Sequence, residues 1–535
     1  MSFEEKLKSN LQKYQKPEGV TFTYGTAGFR CNGSLLDYVA FTTGILATLR
    51  SKYLSGKTVG VMITASHNPP VDNGVKVVDP MGSMLATSWE KYATVLSNTE
   101  PSGLFDSIGN IASELKIDLN AESSVVIARD SRATSPLLAK ATIDGLESIP
   151  NTKYEDYGLS TTPQLHYYTR TKNDHAFGEL SENGYYSKMS SAFKTMRHIV
   201  GKSQKIDITI DAANGVGAPK AKDLFEKYLS DDISFAIVNG AFDQPNLLNS
   251  DCGADFVKTN QKFPKNVDPK KNQLHASLDG DADRLICYYQ DDESKFQLLD
   301  GDKMSSLIAL FFQRILSNID SSKLDLKIGV VQTAYANGSS TNYIENVLKI
   351  PVSCTPTGVK HLHHEAEKFD VGIYFEANGH GTVIFSEDAE RRIFDFKNAS
   401  DSSEETKAIQ ILQNFTKLIN QTVGDAISDL LVILVILDYL GYNPNDWNQS
   451  YTDLPNRLVK VSVPDRSIFK TTNAERTLVE PKGLQEKIDK YVSQFPKGRS
   501  FVRASGTEDA VRVYAEAMTP EDVEKLSRLV SELLK

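Results

Sequence analysis

Short blocks of β-branched and aliphatic residues recur along this chain, and each empties into a stretch of small polar residues. Residues 59–63 run into Thr64-Ala65-Ser66-His67-Asn68, residues 206–210 into Asp211-Ala212-Ala213-Asn214-Gly215, and residues 328–332 into Thr333-Ala334-Tyr335-Ala336-Asn337-Gly338. Apolar blocks of this length, bounded by turn formers, predict buried strands. Two more are predicted at 125–128, ahead of Arg129-Asp130, and at 372–375, ahead of Glu376. Helical periodicity lies between them, over 301–316 and 360–368. Strands alternating with helices imply α/β units with largely buried sheets. The pattern returns at spacings of roughly 120 to 150 residues, as three related domains would give. Ligands of such sheets sit beyond the carboxyl ends of the strands, where these loops fall.

The polar stretch 179–205 reads as the separator between the first unit and the second. The acidic turn 290–294 and Leu299-Asp300-Gly301 precede the third, and 443–454 reads as a linker. From Arg457 onward the pattern changes: strands at 458–463 and 512–517, then a helix from Pro520. That remainder predicts a smaller α+β domain. The expected boundaries are 1–195, 196–298, 299–445 and 456–535.

Composition narrows the class. A chain of 535 residues is too long for one core, and hydrophobic residues at 40% predict a packed globular protein. The net charge of -10 argues against a general nucleic-acid binder, so any anion site must be built from local arginines and backbone amides. Cys31, Cys252, Cys287 and Cys354 are widely spaced with no Cys-x-x-Cys pair, which fits a reducing compartment and leaves zinc-ribbon and thioredoxin-like readings without support. Residues 1–19 are polar with no signal core, and the most apolar run, 430–437, is far too short to span a bilayer. A soluble cytoplasmic protein is expected, with no membrane partner.

Four dense motifs carry the candidate chemistry. Ser66 stands in a tight loop after a buried strand, with His67 beside it. It is either a capped turn or a hydroxyl presented for phosphoryl transfer. A hydrolase elbow is excluded, because no Gly-x-Ser-x-Gly surrounds it. Asp279, Asp281 and Asp283 alternate, and in an extended segment alternate side chains share a face, so three carboxylates converge. They form either a solvated acidic loop or an oxygen cage for Mg²⁺. An EF-hand fails, since Arg284 and Gln290 stand where Gly and Glu are required. Glu376, Asn378 and His380, among Gly379 and Gly381, are either a polar turn between strands or a set of sugar-hydroxyl ligands. Arg503, Ser505, Gly506, Thr507 and Arg512 are either a surface hairpin or an oxyanion loop with bidentate arginines and exposed amides. Lys360 is a solvated helix-start lysine or an acid/base or phosphate-contacting group. Gly25 to Arg30 is a further glycine–hydroxyl–arginine loop, and no Gly-Lys-Ser/Thr makes it a Walker loop.

In this order, the motifs Gly25-Thr26-Ala27-Gly28-Phe29-Arg30, Thr64-Ala65-Ser66-His67-Asn68-Pro69, Asp279-Gly280-Asp281-Ala282-Asp283-Arg284, Gly358-Val359-Lys360-His361-Leu362-His363, Phe375-Glu376-Ala377-Asn378-Gly379-His380-Gly381 and Arg503-Ala504-Ser505-Gly506-Thr507-Glu508 resemble those of the α-D-phosphohexomutases. More narrowly the chain resembles the eukaryotic phosphoacetylglucosamine mutases, fungal forms above all. The resemblance spans essentially the whole chain. It implies four domains around a central cleft, three of them mixed α/β. It implies Ser66 as the phosphoryl carrier, with Asp279, Asp281 and Asp283 holding Mg²⁺ together with that phosphoserine. It implies Glu376, Asn378 and His380 as the sugar-recognition loop. Asn378, where glucose and mannose enzymes usually carry Ser, points to an N-acetyl sugar. Arg503, Ser505, Gly506, Thr507 and Arg512 match the loop that grips the non-reacting phosphate, and Arg30, His67 and Lys360 match active-centre positions, with Lys360 the first acid/base candidate. Many relatives have Pro where Ala504 stands. Alanine permits the same backbone without fixing φ, so a looser loop with retained binding is expected.

The implied reaction interconverts N-acetylglucosamine 6-phosphate and 1-phosphate, through phosphoserine and a bisphosphorylated sugar that also serves as activator, in supply of UDP-N-acetylglucosamine. Its rivals are a glucose or mannose phosphomutase, a Mg²⁺-dependent sugar phosphatase that loses phosphoserine to water, and a non-catalytic sugar-phosphate sensor.

Overall fold

The structure is a computed structural model and describes residues 3–396, 403–505 and 510–534. It divides into two compact units. One comprises residues 1–298 with 410–439, and the other residues 299–409 with 440–535.

The first unit contains two five-stranded mixed sheets. Val59–Ile63 lies in the middle of the first, antiparallel to Asp72–Val78 and parallel to Ser123–Arg129, and all five of its residues are buried. A strand buried on both faces must be apolar throughout, which is why this block reads as a continuous hydrophobic run. The helices Asp37–Tyr53 and Ser135–Ser148 cover this sheet. In the second sheet Ile206–Asp211 runs parallel to Ile233–Val238 and to His275–Leu278, and the last turns back antiparallel into Leu285–Gln290. Residues 410–439 contribute the apolar helix Ala426–Leu440, buried from Ala426 to Leu437, and the Ala426 amide donates to the Ala282 carbonyl. Stretch 179–205, expected to separate the first unit from the second, folds as the helix Glu182–Val200, which buries Tyr185, Tyr186, Met189, Phe193 and Met196 on one face.

The second unit holds a four-stranded sheet in the order Val352–Thr355, Ile328–Thr333, Val371–Phe375, Gly381–Phe385, parallel except for the last strand. Its C-terminal part is a three-stranded antiparallel sheet of Asn456–Ser462, Ala510–Glu516 and Arg499–Ala504, covered by the helices Leu484–Val492 and Pro520–Glu532. The stretch expected to be a linker contains the short helix Pro444–Asn448. Trp447 is buried there, and its indole donates to the Lys303 carbonyl at 3.1 Å. Among the described residues, no helix is long and apolar enough to cross a membrane.

Candidate active site

In the first unit the buried strand Val59–Ile63 delivers Ser66 into a tight turn. Its backbone is left-handed, φ 51°, a conformation that costs a non-glycine residue about 1–2 kcal/mol. Local bonds hold it there. The Ser66 amide donates to Thr64 Oγ1 at 2.9 Å, and the Thr64 hydroxyl donates to Asp130 Oδ2 at 2.8 Å. The Ser66 carbonyl accepts from Arg132 Nη2 at 2.8 Å and from Asn249 Nδ2 at 3.0 Å.

The Ser66 hydroxyl is fully buried and donates to Asp279 Oδ2 at 2.5 Å, with Asp283 Oδ1 at 3.3 Å. Asp279, Asp281 and Asp283 each offer an oxygen within 4.8 Å of the others, and all three are buried. Alternation in an extended segment would bring the carboxylates together on one face. The structure brings them together by a turn instead: Ala282 adopts φ 58°, and Asp279 Oδ1 accepts from the Asp283 and Arg284 amides at 3.0 and 3.2 Å. Gly280 packs so closely on the serine turn that a Cβ there would lie 2.6 Å from the Ser66 carbonyl oxygen. Asp281 is fixed through Oδ2 by the Thr162 hydroxyl at 2.6 Å, while its Oδ1 is buried without a hydrogen-bond partner.

Burial and then its neighbours Asp283 and Asp281 push the Asp279 carboxyl well above the usual carboxylate range, against the pull of Arg284. Lys76 Nζ lies 3.8 Å from Asp283, and Arg284 Nε 3.8 Å from Asp279. Burial and Arg284 lower the Arg30 pKa, while Asp281, Asp283 and Asp279 support its charge. Burial, Arg284 and Arg30 drive His67 down to about 2, so its imidazole is neutral. A cluster of hard oxygens with an orphaned carboxylate oxygen is the donor set that Mg²⁺ requires.

In the second unit Glu376, Asn378 and His380 form the reversal between Val371–Phe375 and Gly381–Phe385. Asn378 Nδ2 donates to Glu376 Oε2 at 3.1 Å, and Asn378 Oδ1 accepts from the His380 amide at 3.0 Å. Glu376 Oε1 accepts from the Gly358 amide at 3.2 Å, which joins this reversal to the turn that launches Lys360. Lys360 is buried in the first turn of Val359–Ala366 and is therefore no solvated surface lysine. Gly301 is required where its helix meets the reversal, because a Cβ would stand 1.9 Å from the Glu376 carbonyl oxygen.

Arg503 and Arg512 are paired across neighbouring strands of the C-terminal sheet, so both side chains leave the same face. The Ser505 amide donates to the Ala510 carbonyl at 2.8 Å and closes the hairpin base. Gly506 and Thr507 lie outside the described residues, as does most of the loop expected to be loosened by Ala504. Glu475 joins two of these groups: Oε1 accepts from Arg503 Nε at 2.7 Å, and Oε2 accepts from the Thr357 hydroxyl at 2.6 Å and its amide at 3.0 Å.

Arg132, Asn249 and Glu475 were not among the expected site residues. Arg132 alone had a local signal, as the second arginine of Arg129-Asp130-Ser131-Arg132 after a predicted strand.

A buried serine hydroxyl facing three carboxylates, mixed α/β sheets and a small C-terminal sheet with paired arginines are each features of an α-D-phosphohexomutase. Comparison with known proteins agrees. Family profiles match at residues 31–102 and 104–179 (phosphoglucomutase/phosphomannomutase domain I), 177–286 and 300–442 (phosphoacetylglucosamine mutase AMG1 domains II and III) and 458–533 (phosphoglucomutase/phosphomannomutase C-terminal domain). The phosphoacetylglucosamine mutase of Candida albicans is 67% identical, with both chains covered in full. A crystal structure of an N-acetylglucosamine-phosphate mutase in its substrate complex superposes with a TM-score of 0.98 at 68% identity, again over all of both chains. The Aspergillus fumigatus N-acetylphosphoglucosamine mutase, solved with GlcNAc-6P and magnesium, superposes with a TM-score of 0.94 at 48% identity over 100% of this chain and 98% of that one. The chain belongs to the phosphoacetylglucosamine mutase family.

Proposed function

We propose that this chain interconverts N-acetylglucosamine 6-phosphate and N-acetylglucosamine 1-phosphate, with Ser66 as the residue that carries the phosphoryl group. The observation behind the assignment of Ser66 is its hydroxyl, buried and 2.5 Å from Asp279 in a turn held on every side. The relatives' substrate and magnesium complexes support the reaction, and a serine-to-alanine form of the Aspergillus fumigatus enzyme binds glucose 1,6-bisphosphate, a sugar bisphosphate of the kind the cycle needs.

In the forward direction the P–O bond to Ser66 Oγ breaks as the free sugar hydroxyl forms a new bond to phosphorus. The hydroxyl proton ends on Ser66 Oγ, so the transfer needs an acid/base group, for which Lys360 is the first candidate. The bisphosphorylated sugar then turns over, and its other phosphoryl group passes back to Ser66. Asp279, Asp281, Asp283 and the serine oxygen hold Mg²⁺, which when bound neutralises charge on the phosphoryl oxygens. Arg30 adds a fixed cation beside the carboxylates, and His67, neutral, offers hydrogen bonds only. Glu376, Asn378 and His380 bind the sugar, with Asn378 selecting the N-acetyl form. Arg503, Ser505, Gly506, Thr507 and Arg512 hold whichever phosphate is not reacting. The partner is thus a small amino-sugar phosphate. A cytoplasmic setting belongs to the same proposal and agrees with the free thiols of Cys31, Cys252, Cys287 and Cys354.

Ser66→Ala is the direct test. The variant is expected to lose mutase turnover while still binding N-acetylglucosamine 6-phosphate; full turnover in it would remove Ser66 from the reaction.

A further inference from the structure

The Ser66 peptide sits in a closed circuit of hydrogen bonds. On its amide side the path runs from Ser66 N–H to Thr64 Oγ1 and on to Asp130 Oδ2. Asp130 Oδ2 also accepts from Arg132 Nε at 3.1 Å, and Arg132 Nη2 returns to the Ser66 carbonyl at 2.8 Å. Arg132 is 1% exposed and spends its remaining donors on the same turn. Nη2 reaches the Asn68 carbonyl at 2.9 Å, and Nη1 the Pro69 and Asp72 carbonyls at 2.6 and 2.8 Å. One guanidinium therefore gathers four backbone carbonyls of the loop that carries the hydroxyl.

A second donor arrives from the other sheet of the same unit. Asn249 Nδ2 donates to the Ser66 carbonyl at 3.0 Å and to the Asn68 carbonyl at 3.2 Å. Asn249 is itself anchored, its amide donating to the Ala213 carbonyl at 2.9 Å at the end of Ile206–Asp211. That strand pairs directly with His275–Leu278, which leads into the carboxylate turn. Asn249 thus ties the serine turn to the sheet that carries Asp279.

We infer that Arg132 and Asn249 are positioning residues for phosphoryl transfer: Arg132 holds Ser66 in its left-handed conformation, and Asn249 sets the distance between the serine oxygen and the carboxylate turn. Neither side chain offers a group to the reacting atoms. Both act on backbone carbonyls, which fixes the Cα–Cβ direction of Ser66 whether or not its oxygen carries phosphate. Misplacement of a reacting oxygen by about 1 Å can cost on the order of 100-fold in rate. The inference rests on Ser66 being the phosphoryl carrier.

The experiment compares Asn249→Ala, Asn249→Asp, Arg132→Lys and Ser66→Ala in the full chain with N-acetylglucosamine 6-phosphate and Mg²⁺, recording kcat, KM and melting temperature. Asn249→Ala is expected to lower kcat about 10-fold with KM within twofold. Asn249→Asp, which sets a carboxylate against two carbonyl oxygens, is expected to lower it about 100-fold. Arg132→Lys, unable to span four carbonyls, belongs with the larger loss; if it does not fold, the Asn249 pair decides. Folded Asn249 variants that keep kcat within twofold, beside an inactive Ser66→Ala, would overturn the positioning roles alone. So would a loss accounted for entirely by a reduced folded fraction. An active Ser66→Ala would overturn the underlying assignment and this inference with it.

Discussion

Removing the Glu475 side chain should weaken substrate binding with little change in the chemical step. Glu475 accepts three hydrogen bonds, one from the Arg503 guanidinium at 2.7 Å and two from Thr357 at 2.6 and 3.0 Å. Its backbone is held in a left-handed turn, φ 66°, following Asn473 and Ala474 in the same region. Burial works against the Arg503 cation, but Glu475 and Tyr335 outweigh it and raise its pKa. Glu475 engages Nε, so the carboxylate orients the guanidinium that is proposed to grip the phosphate. A hydrogen bond to a charged group contributes about 1.5–3 kcal/mol when buried. The Glu475 and Arg503 side chains are 16% and 26% exposed, so solvent screening reduces the expected loss to about 1–2 kcal/mol. At 1.4 kcal/mol per decade, Glu475→Ala should raise KM roughly 5- to 30-fold. The non-reacting phosphate is held equally in ground and transition states, so kcat should change little. Glu475→Gln keeps one acceptor oxygen and should raise KM only about threefold. Steady-state kinetics across N-acetylglucosamine 6-phosphate concentrations provide the assay. An unchanged KM in folded Glu475→Ala, or a fall in kcat at constant KM, would refute the reasoning.

Asp281→Asn replaces the orphaned carboxylate oxygen by a neutral amide, and the Mg²⁺ concentration for half-maximal activity should rise at least about 10-fold; an unchanged metal response would contradict the cage. Asn378→Ser should move sugar preference toward glucose 6-phosphate, read as the ratio of kcat/KM for the two sugars, and a constant ratio would take specificity away from Asn378. Asp429 lies in the apolar helix Ala426–Leu440 with both carboxylate oxygens buried and unpartnered, and burial, then Asp425, raises its pKa well above the usual range. The folded state therefore keeps a proton that the unfolded chain releases near pH 4, and stability falls by about 1.4 kcal/mol per pH unit above that point until the folded pKa is reached. Asp429→Asn, which cannot ionise, should gain stability over the parent by an amount that grows between pH 5 and pH 7 in denaturant melts, and a pH-independent difference would show that Asp429 titrates normally.

Much of this molecule was legible in the chain because the governing signals are local. The five-residue block 59–63, bounded by Thr64 and the small residues after it, is too short for a helix and reads as a buried strand opening into a turn, which placed Ser66 at a strand's carboxyl end. The acidic triplet converges although its geometry is a turn, because three carboxylates within five residues come together by either route. The helix in the stretch 179–205 was missed because its polar composition masked Tyr185, Met189, Phe193 and Met196, spaced at three and four residues as one buried helical face. The linker expected at 443–454 lies between the domains matched at 300–442 and 458–533, and the short helix within it, anchored by the buried Trp447, carried no periodic signal. Asn249 and Glu475 were invisible, and Arg132 nearly so, for a different reason. They bind backbone groups or a distant arginine, and every residue has a carbonyl, so no spacing in the sequence marks which ones will be captured.

Sugar 1-phosphate and free phosphate, followed together from N-acetylglucosamine 6-phosphate and from glucose 6-phosphate with Mg²⁺ and a trace of each bisphosphate, test both the mutase reaction and its substrate. Faster 1-phosphate formation from the N-acetyl sugar, with no net release of phosphate, is the predicted result. A preference for glucose would contradict the substrate, and free phosphate without 1-phosphate would contradict the mutase reaction itself.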